Sequence, residues 1–231
     1  MTQPTYLNRN AARLAGIFFI GSFLSYGIGT ALMEPLLLAA DPITTIESQR
    51  ITYLVAAFAV AILHTFTNVG AITILFRAMS PFAPLKALGY LSLTLMGTMA
   101  LLVGSVFLML AVPTIDATDP LYTEAFGKLL YYINFYFYQS GMTLWGVGGL
   151  LMCAVLWRTQ LVPRSLAILG VVGYTIFIVG TTSEFFLSGW GVMLSIPGGL
   201  FEVGLSIWLI AKGFNASANT PHAHQAASSM A

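Results

Sequence analysis

Six apolar runs of about twenty residues or more divide this chain, and they constrain its fold more than any other feature. A helix of about 20 residues spans the ~30 Å hydrocarbon core of a bilayer. Hydrophobic residues make up 58% of the 231 and charged residues only 7%, whereas about a quarter of the residues in soluble domains are charged. A water-soluble fold of this size cannot cover that much apolar surface. The sequence therefore predicts an integral membrane protein.

The runs predict an all-α fold, because an open strand in lipid leaves its backbone groups without partners. We expect a bundle of six transmembrane helices, forming a single domain over residues 1–214. The small polar residues of 215–231 predict a disordered cytoplasmic tail. The expected spans are Leu14–Met33, Ile51–Phe76, Ala87–Val112, Leu129–Trp157, Ser165–Leu187 and Gly191–Ala211, the last with a kink near Pro197.

Seven of the nine basic residues fall on one side of the predicted spans, at Arg9, Arg13, Arg77, Lys86, Arg158, Arg164 and Lys212. Loops rich in Lys and Arg stay in the cytoplasm. We therefore expect a multi-pass membrane protein with both termini cytoplasmic. The lipid bilayer is its expected surrounding, and nucleic acid is not expected as a partner because the basic residues form no stripe.

A layer of polar side chains is predicted near the middle of the membrane. Glu202 lies ten residues from Lys212, about 15 Å deep, and His64 lies thirteen residues from Arg77, about 20 Å deep. Asn68 follows His64 by one turn on the same helix face. The candidate ligand-binding or proton-carrying residues of this layer are Glu202, His64, Asn68, Tyr26 and Trp145.

A carboxyl group at this depth is expected to face the bundle interior or a wet cavity, because exposure to lipid costs several kcal/mol. One interpretation is a polar pocket for a small molecule or lipid, in which His64 meets Glu202 directly or through a water. A second is a proton relay that uses the same pair. The third is ordinary interhelical hydrogen bonding that only fixes the helix register.

A second polar cluster is predicted nearer the other side of the membrane. Tyr131, Asn134, Tyr138 and Trp145 share one face of the fourth span, and Glu184 lies about 30 Å from Arg164. These residues predict an outer vestibule made by Tyr131, Asn134, Tyr138 and Glu184. The alternative is an aromatic belt, because Tyr and Trp are enriched at membrane interfaces.

No catalytic residue, metal site or cofactor is predicted. A single histidine at mid-depth cannot ligate a haem from both sides, and the chain has neither a His-Glu-x-x-His nor a Gly-x-Ser-x-Gly motif. Three functions stay open: a binding or transport-type module, a structural or accessory subunit of a membrane complex, and an intramembrane enzyme with a Glu–His pair. The sequence sets no oligomeric state.

Two segments of the final third resemble a known family. They are W-R-T-Q-L-V-P-R-S-L-A-I-L-G-V-V-G-Y, from Trp157 to Tyr174, and E-V-G-L-S-I-W-L-I-A-K-G-F, from Glu202 to Phe214. This pattern resembles the prokaryotic six-span membrane family called domain of unknown function 4386. The resemblance implies that Glu202, Trp208, Lys212 and Gly213 are pattern positions. It also implies the cell inner membrane of a prokaryote, and it implies no activity.

Overall fold

The computed structural model describes residues 8–113 and 120–215. Its helices are α1 (Arg9–Leu37), α2 (Pro42–Ser48), α3 (Arg50–Met79), α4 (Pro84–Met109), α5 (Pro120–Thr159), α6 (Arg164–Ser183) and α7 (Gly191–Ala211). All except the short α2 are long and apolar enough to span a membrane, and the described residues contain no strand. The prediction of an all-α fold with six spans is confirmed.

The six long helices form a ring in which sequence neighbours are also neighbours in space. Each long helix packs against the next, and α1 closes the ring by packing against α7. The short connections after α3 and α5 make consecutive helices antiparallel. One end of the ring therefore carries Arg9, Arg13, Arg77, Lys86, Arg158, Arg164 and Lys212, and we call it the basic end.

The ring is densely packed in its basic half. A continuous apolar core there includes Phe19 of α1, Leu75 of α3, Leu156 of α5 and Leu209 of α7. An added Cβ on Gly16 of α1 would lie 2.6 Å from the Ser206 carbonyl oxygen of α7, so only glycine permits this close approach. Helices α1 and α7 are thus held tightly together in this half.

Two basic side chains of α1 form hydrogen bonds with backbone carbonyls at the end of α7. Arg9 Nη2 donates to the Ala211 carbonyl at 3.2 Å, and Arg13 Nε donates to the Ile210 carbonyl at 3.3 Å. Cations near a helix C-terminus also interact favourably with the helix dipole. Asn215 adds a link to the connection after α5, because its Nδ2 donates to the Gln160 carbonyl at 2.8 Å. The rest of the predicted tail lies outside the described residues.

The opposite half of the ring has a smaller apolar core, shared by α1, α3, α4 and α5. Tyr53 is fully buried in it and donates its hydroxyl to the Leu108 carbonyl at 2.7 Å. Helix α3 changes register just below this core, with a π-helical turn at Ala59–Leu63 followed directly by His64. Such a turn inserts one extra residue and rotates all later side chains around the helix axis. The turn therefore sets the direction of His64.

Helix α5 differs from its expected span, whereas α7 has the expected bounds, Gly191–Ala211. Helix α5 has 40 residues, about 60 Å, and it begins at Pro120 rather than near Leu129, so it extends well beyond a bilayer core. Helix α7 continues through Pro197. Gly173 of α6 makes room there, because a Cβ on it would lie 2.8 Å from the Pro197 carbonyl oxygen.

Candidate functional site

A cavity of about 720 Å³ lies inside the ring, between the end opposite the basic end and the middle of the membrane-spanning region. All six long helices contribute to its wall. Glu34 of α1 and Tyr131 of α5 line its outer part, because both lie near the helix ends away from the basic end. Trp145, Tyr174 and Glu202 line its floor, above the packed core of the basic half.

The Glu202 carboxyl group is held at this floor by two donors from two other helices. Trp145 Nε1 of α5 donates to Glu202 Oε1 at 2.8 Å, and the Tyr174 hydroxyl of α6 donates to the same oxygen at 2.7 Å. Trp145 and Tyr174 are both buried in the main core, so their donor groups are fixed. The two hydrogen bonds set the orientation of the carboxyl plane.

The second carboxyl oxygen of Glu202 is available to a ligand. Among the described residues none donates a hydrogen bond to Oε2, and this atom is not sealed from the cavity. The floor therefore presents one pre-oriented polar atom, supported from behind by an indole and a phenol. A group positioned by packing and by hydrogen bonds in this way needs no rearrangement to bind a ligand.

His64 is occupied by a different set of partners. Its Nδ1 lies 3.0 Å from the Ser22 carbonyl of α1, so this nitrogen carries the proton and donates it. Asn68 Nδ2 donates to His64 Nε2 at 2.9 Å, so that nitrogen accepts. This arrangement is that of a neutral imidazole that links α1 to α3.

Glu202 and His64 both line the cavity, but within the described residues no hydrogen bond joins them. Their partner sets are separate, and both ring nitrogens of His64 are already used. A link through water stays a prediction. The hydrogen bonds of His64 are those expected of an interhelical contact that fixes register.

Aromatic rings form the wall above the floor. The Tyr26 ring lies edge-on to His64 with centroids 4.9 Å apart and stacks on Tyr138 at 5.3 Å. Tyr131 and Asn134 line the same side nearer the mouth, so the predicted face of the fourth span does point inward. These rings give the cavity apolar walls with phenol hydroxyls along them.

Glu184 does not line this cavity. Its Oε1 accepts a hydrogen bond from the Gly191 backbone N–H at 2.6 Å and another from the Ser188 hydroxyl at 3.1 Å. Gly191 is the first residue of α7, so the buried Glu184 carboxylate caps that helix and closes the connection from α6. Its geometry is that of a structural group.

The polar residues of the cavity that the sequence analysis missed include Tyr174, Gln139 and Glu34. Tyr174 lies ten residues from Arg164, as Glu202 does from Lys212, so counting depth along α6 would have found it. The adjacent Thr175 lies at a similar depth, but it is exposed and its hydroxyl donates to the Val171 carbonyl of the same helix. Depth alone therefore does not decide which of these two neighbouring residues faces the cavity.

Two acidic side chains line the cavity, and neither Lys nor Arg accompanies them among the described lining residues. Glu202 lies at the floor and Glu34 at the mouth. The described part of the chain also holds no group of three His, Cys, Asp or Glu side chains arranged to bind a metal ion.

These features define a class: a multi-pass helical membrane protein with a partly polar cavity inside its ring of helices. The chain belongs to the family described as Domain of unknown function (DUF4386), which matches residues 14–213. Neither the curated proteins nor the solved structures gave a match to this chain. The family assignment agrees with the resemblance seen in the final third of the sequence.

Proposed function

We propose that this protein binds a small molecule within the membrane, as a binding or transport-type module. The proposal depends on one observation above all. Glu202 presents a free Oε2 at the floor of a 720 Å³ cavity, while Trp145 and Tyr174 hold Oε1 in place. A pocket of several hundred Å³ with apolar walls and a few fixed polar groups is the usual form of a ligand site.

The shape of the ring supports a site that is closed toward the basic end. The floor of the cavity rests on the continuous core of the basic half, and the mouth lies at the other end. We place the basic end in the cytoplasm of a prokaryotic cell, because loops rich in Lys and Arg stay on that side. The cavity would then face away from the cytoplasm.

Cysteine labelling tests this orientation. Ser80 lies in the connection after α3 at the basic end, and Glu47 is exposed on α2 at the other end. The native Cys153 is buried, so it gives little background reaction. A membrane-impermeant maleimide added to intact cells should label Glu47→Cys and leave Ser80→Cys unlabelled, and the reverse pattern contradicts the orientation.

A cavity-filling variant tests the binding proposal. Gly27 lines the cavity, and a Cβ added to it would meet no atom within 4 Å, so Gly27→Phe can fill the space without distorting α1. Gly127 of α5 is equally unobstructed but does not line the cavity, so Gly127→Phe is the matched control.

The probe for this test is 4-phenylbutan-1-ol, a neutral molecule small enough for the cavity. It should raise the unfolding temperature of the wild type and of Gly127→Phe, both in lipid nanodiscs, and it should not affect Gly27→Phe, because that variant has no space for it. An equal response of all three proteins contradicts a ligand site in the cavity.

A further inference from the structure

We infer that the ligand of this cavity is a lipophilic amine, bound as an ammonium ion at Glu202 with its apolar tail directed between α1 and α7 into the lipid. This inference rests on the proposed function and adds the chemical class of the ligand and its route. Three observations carry it: the sign of the charges, the aromatic walls, and the side of the ring that is open.

The charges favour a cation. Glu202 Oε2 accepts no hydrogen bond from the described residues, and a second acid, Glu34, stands at the mouth. His64 does not balance them, because its Nδ1 faces a carbonyl oxygen and its Nε2 accepts from Asn68. An ammonium group would supply both the missing positive charge and donors for Oε2. Such charge-assisted hydrogen bonds are about twice as strong as neutral ones.

The walls favour an organic cation over a hydrated metal ion. Tyr26 and Tyr138 stack above the floor, and Trp145 and Tyr174 flank the carboxyl group itself. Aromatic rings attract an ammonium group through their electron-rich faces, most strongly where water is excluded. A divalent metal ion would instead require several oxygen ligands around one point.

The open side of the ring favours an amphipathic molecule that reaches the site from the lipid. Phe23 of α1 and Ile196 and Leu200 of α7 line the cavity, and they are 51%, 55% and 62% exposed. The cavity-lining His64, Asn68 and Trp145 are buried by contrast. The wall is therefore interrupted between α1 and α7, on a face that contacts lipid.

Glycine contacts show that α1 and α7 lie close together in the basic half of the ring and farther apart in the half that holds the cavity. In the basic half Gly16 brings α1 against the α7 backbone, and Arg9 and Arg13 fasten the end of α7. In the other half a Cβ on Gly27 would meet no atom, and a Cβ on Gly199 would meet only the Phe23 ring at 3.7 Å. A polar floor and an apolar side opening together fit a molecule with a charged head group and an apolar tail.

The experiment compares three probes of equal length in phosphatidylcholine nanodiscs: 4-phenylbutylamine, 4-phenylbutan-1-ol and 4-phenylbutanoate. We expect the wild type to bind the amine at least about tenfold more tightly than the alcohol and to bind the carboxylate least, because like charges repel at Glu202. Dissociation constants come from the shift of unfolding temperature with probe concentration. Glu202→Gln should lower the affinity for the amine to about that of the alcohol.

The outcomes separate this inference from the proposed function. If the alcohol or the carboxylate binds the wild type as tightly as the amine, or if Glu202→Gln keeps the preference for the amine, the amine assignment is wrong while a ligand site remains. If Gly27→Phe responds to all three probes as Gly127→Phe does, both the assignment and the ligand site are wrong. The unfolding temperatures without probe show whether each variant is folded.

Discussion

Glu184 and Glu202 are both acidic side chains in the apolar second half of the chain, but the structure uses their carboxyl groups differently. Glu184 Oε1 accepts from the N–H of Gly191 and from Ser188, and the residue caps α7. Glu202 Oε1 instead accepts from two side chains of other helices, Trp145 and Tyr174, and Glu202 lines the cavity, which Glu184 does not. Burial of an acid in a membrane protein is thus compatible with either a structural or a ligand-binding role. The two acids differ in their donors and in their contact with the cavity: Glu184 accepts from the backbone N–H that begins α7, whereas Glu202 accepts from side chains of two other helices and lines the cavity.

The largest effect on stability is expected at Glu184. Glu184→Ala removes the cap from the first N–H of α7, and the lost hydrogen bonds to a charged group are worth about 2–3 kcal/mol of unfolding free energy. Unfolding by sodium dodecyl sulfate in mixed micelles measures this loss. Glu184→Gln keeps an oxygen acceptor and should recover more than half of it.

Glu202→Ala is the matching variant in that experiment. Glu202→Ala should lower the unfolding free energy by about half as much as Glu184→Ala does. The reason is that water in the cavity can accept the hydrogen bonds that Trp145 and Tyr174 donate to Glu202 in the wild type. A larger loss at Glu202 than at Glu184 contradicts the division of roles between the two acids.

Two buried tyrosines give the next prediction. Tyr174 donates to Glu202, whereas the buried Tyr90 hydroxyl has no hydrogen-bond partner among the described residues. Tyr174→Phe should lower the unfolding free energy by about 1–2 kcal/mol. Tyr90→Phe should change it by less than about 0.5 kcal/mol, because it removes a hydroxyl that bonds to nothing. Equal losses in the same micelle assay would mean that the Tyr174–Glu202 hydrogen bond contributes no stability.

Glu34 at the mouth is expected to have a smaller effect than Glu202 at the floor. Glu34 is exposed, so its attraction for a cation is weakened by water and by salt. Glu34→Gln should weaken 4-phenylbutylamine binding about two- to threefold at low salt, and the difference should vanish at high salt. A tenfold loss that persists in high salt would instead place the ammonium group beside Glu34.

The smallest effect concerns Asp41, an exposed acid that caps the short helix α2. The Thr44 hydroxyl and the Thr44 backbone N–H donate to it and lower the pKa of the Asp41 carboxyl group. Asp41 therefore stabilises α2 above the pKa of the unfolded chain, and this contribution is lost as the pH falls through the lower folded pKa. Thr44→Val should raise the pKa of Asp41 toward its ordinary value, as measured by nuclear magnetic resonance titration.

The sequence was sufficient for the spans and for the depth of the polar layer, because both follow from apolar length and from the rise of a helix. It could not determine which side chains meet. One interpretation had His64 meet Glu202 directly or through a water, and another had it make interhelical hydrogen bonds; in the structure His64 follows a π turn and bonds the Ser22 carbonyl. Tyr174 was missed because its neighbour Thr175 is also polar, and only the packing of α6 against its neighbours decides which of the two faces inward.

The most direct test of the central claim is an infrared difference spectrum of the protein with and without 4-phenylbutylamine, in the region of carboxyl and carboxylate vibrations. The account predicts a change in these bands that is present in the wild type, retained in Glu184→Gln and absent in Glu202→Gln. The same change in Glu202→Gln, or its loss only in Glu184→Gln, would contradict the claim that Glu202 is the group that meets the ligand.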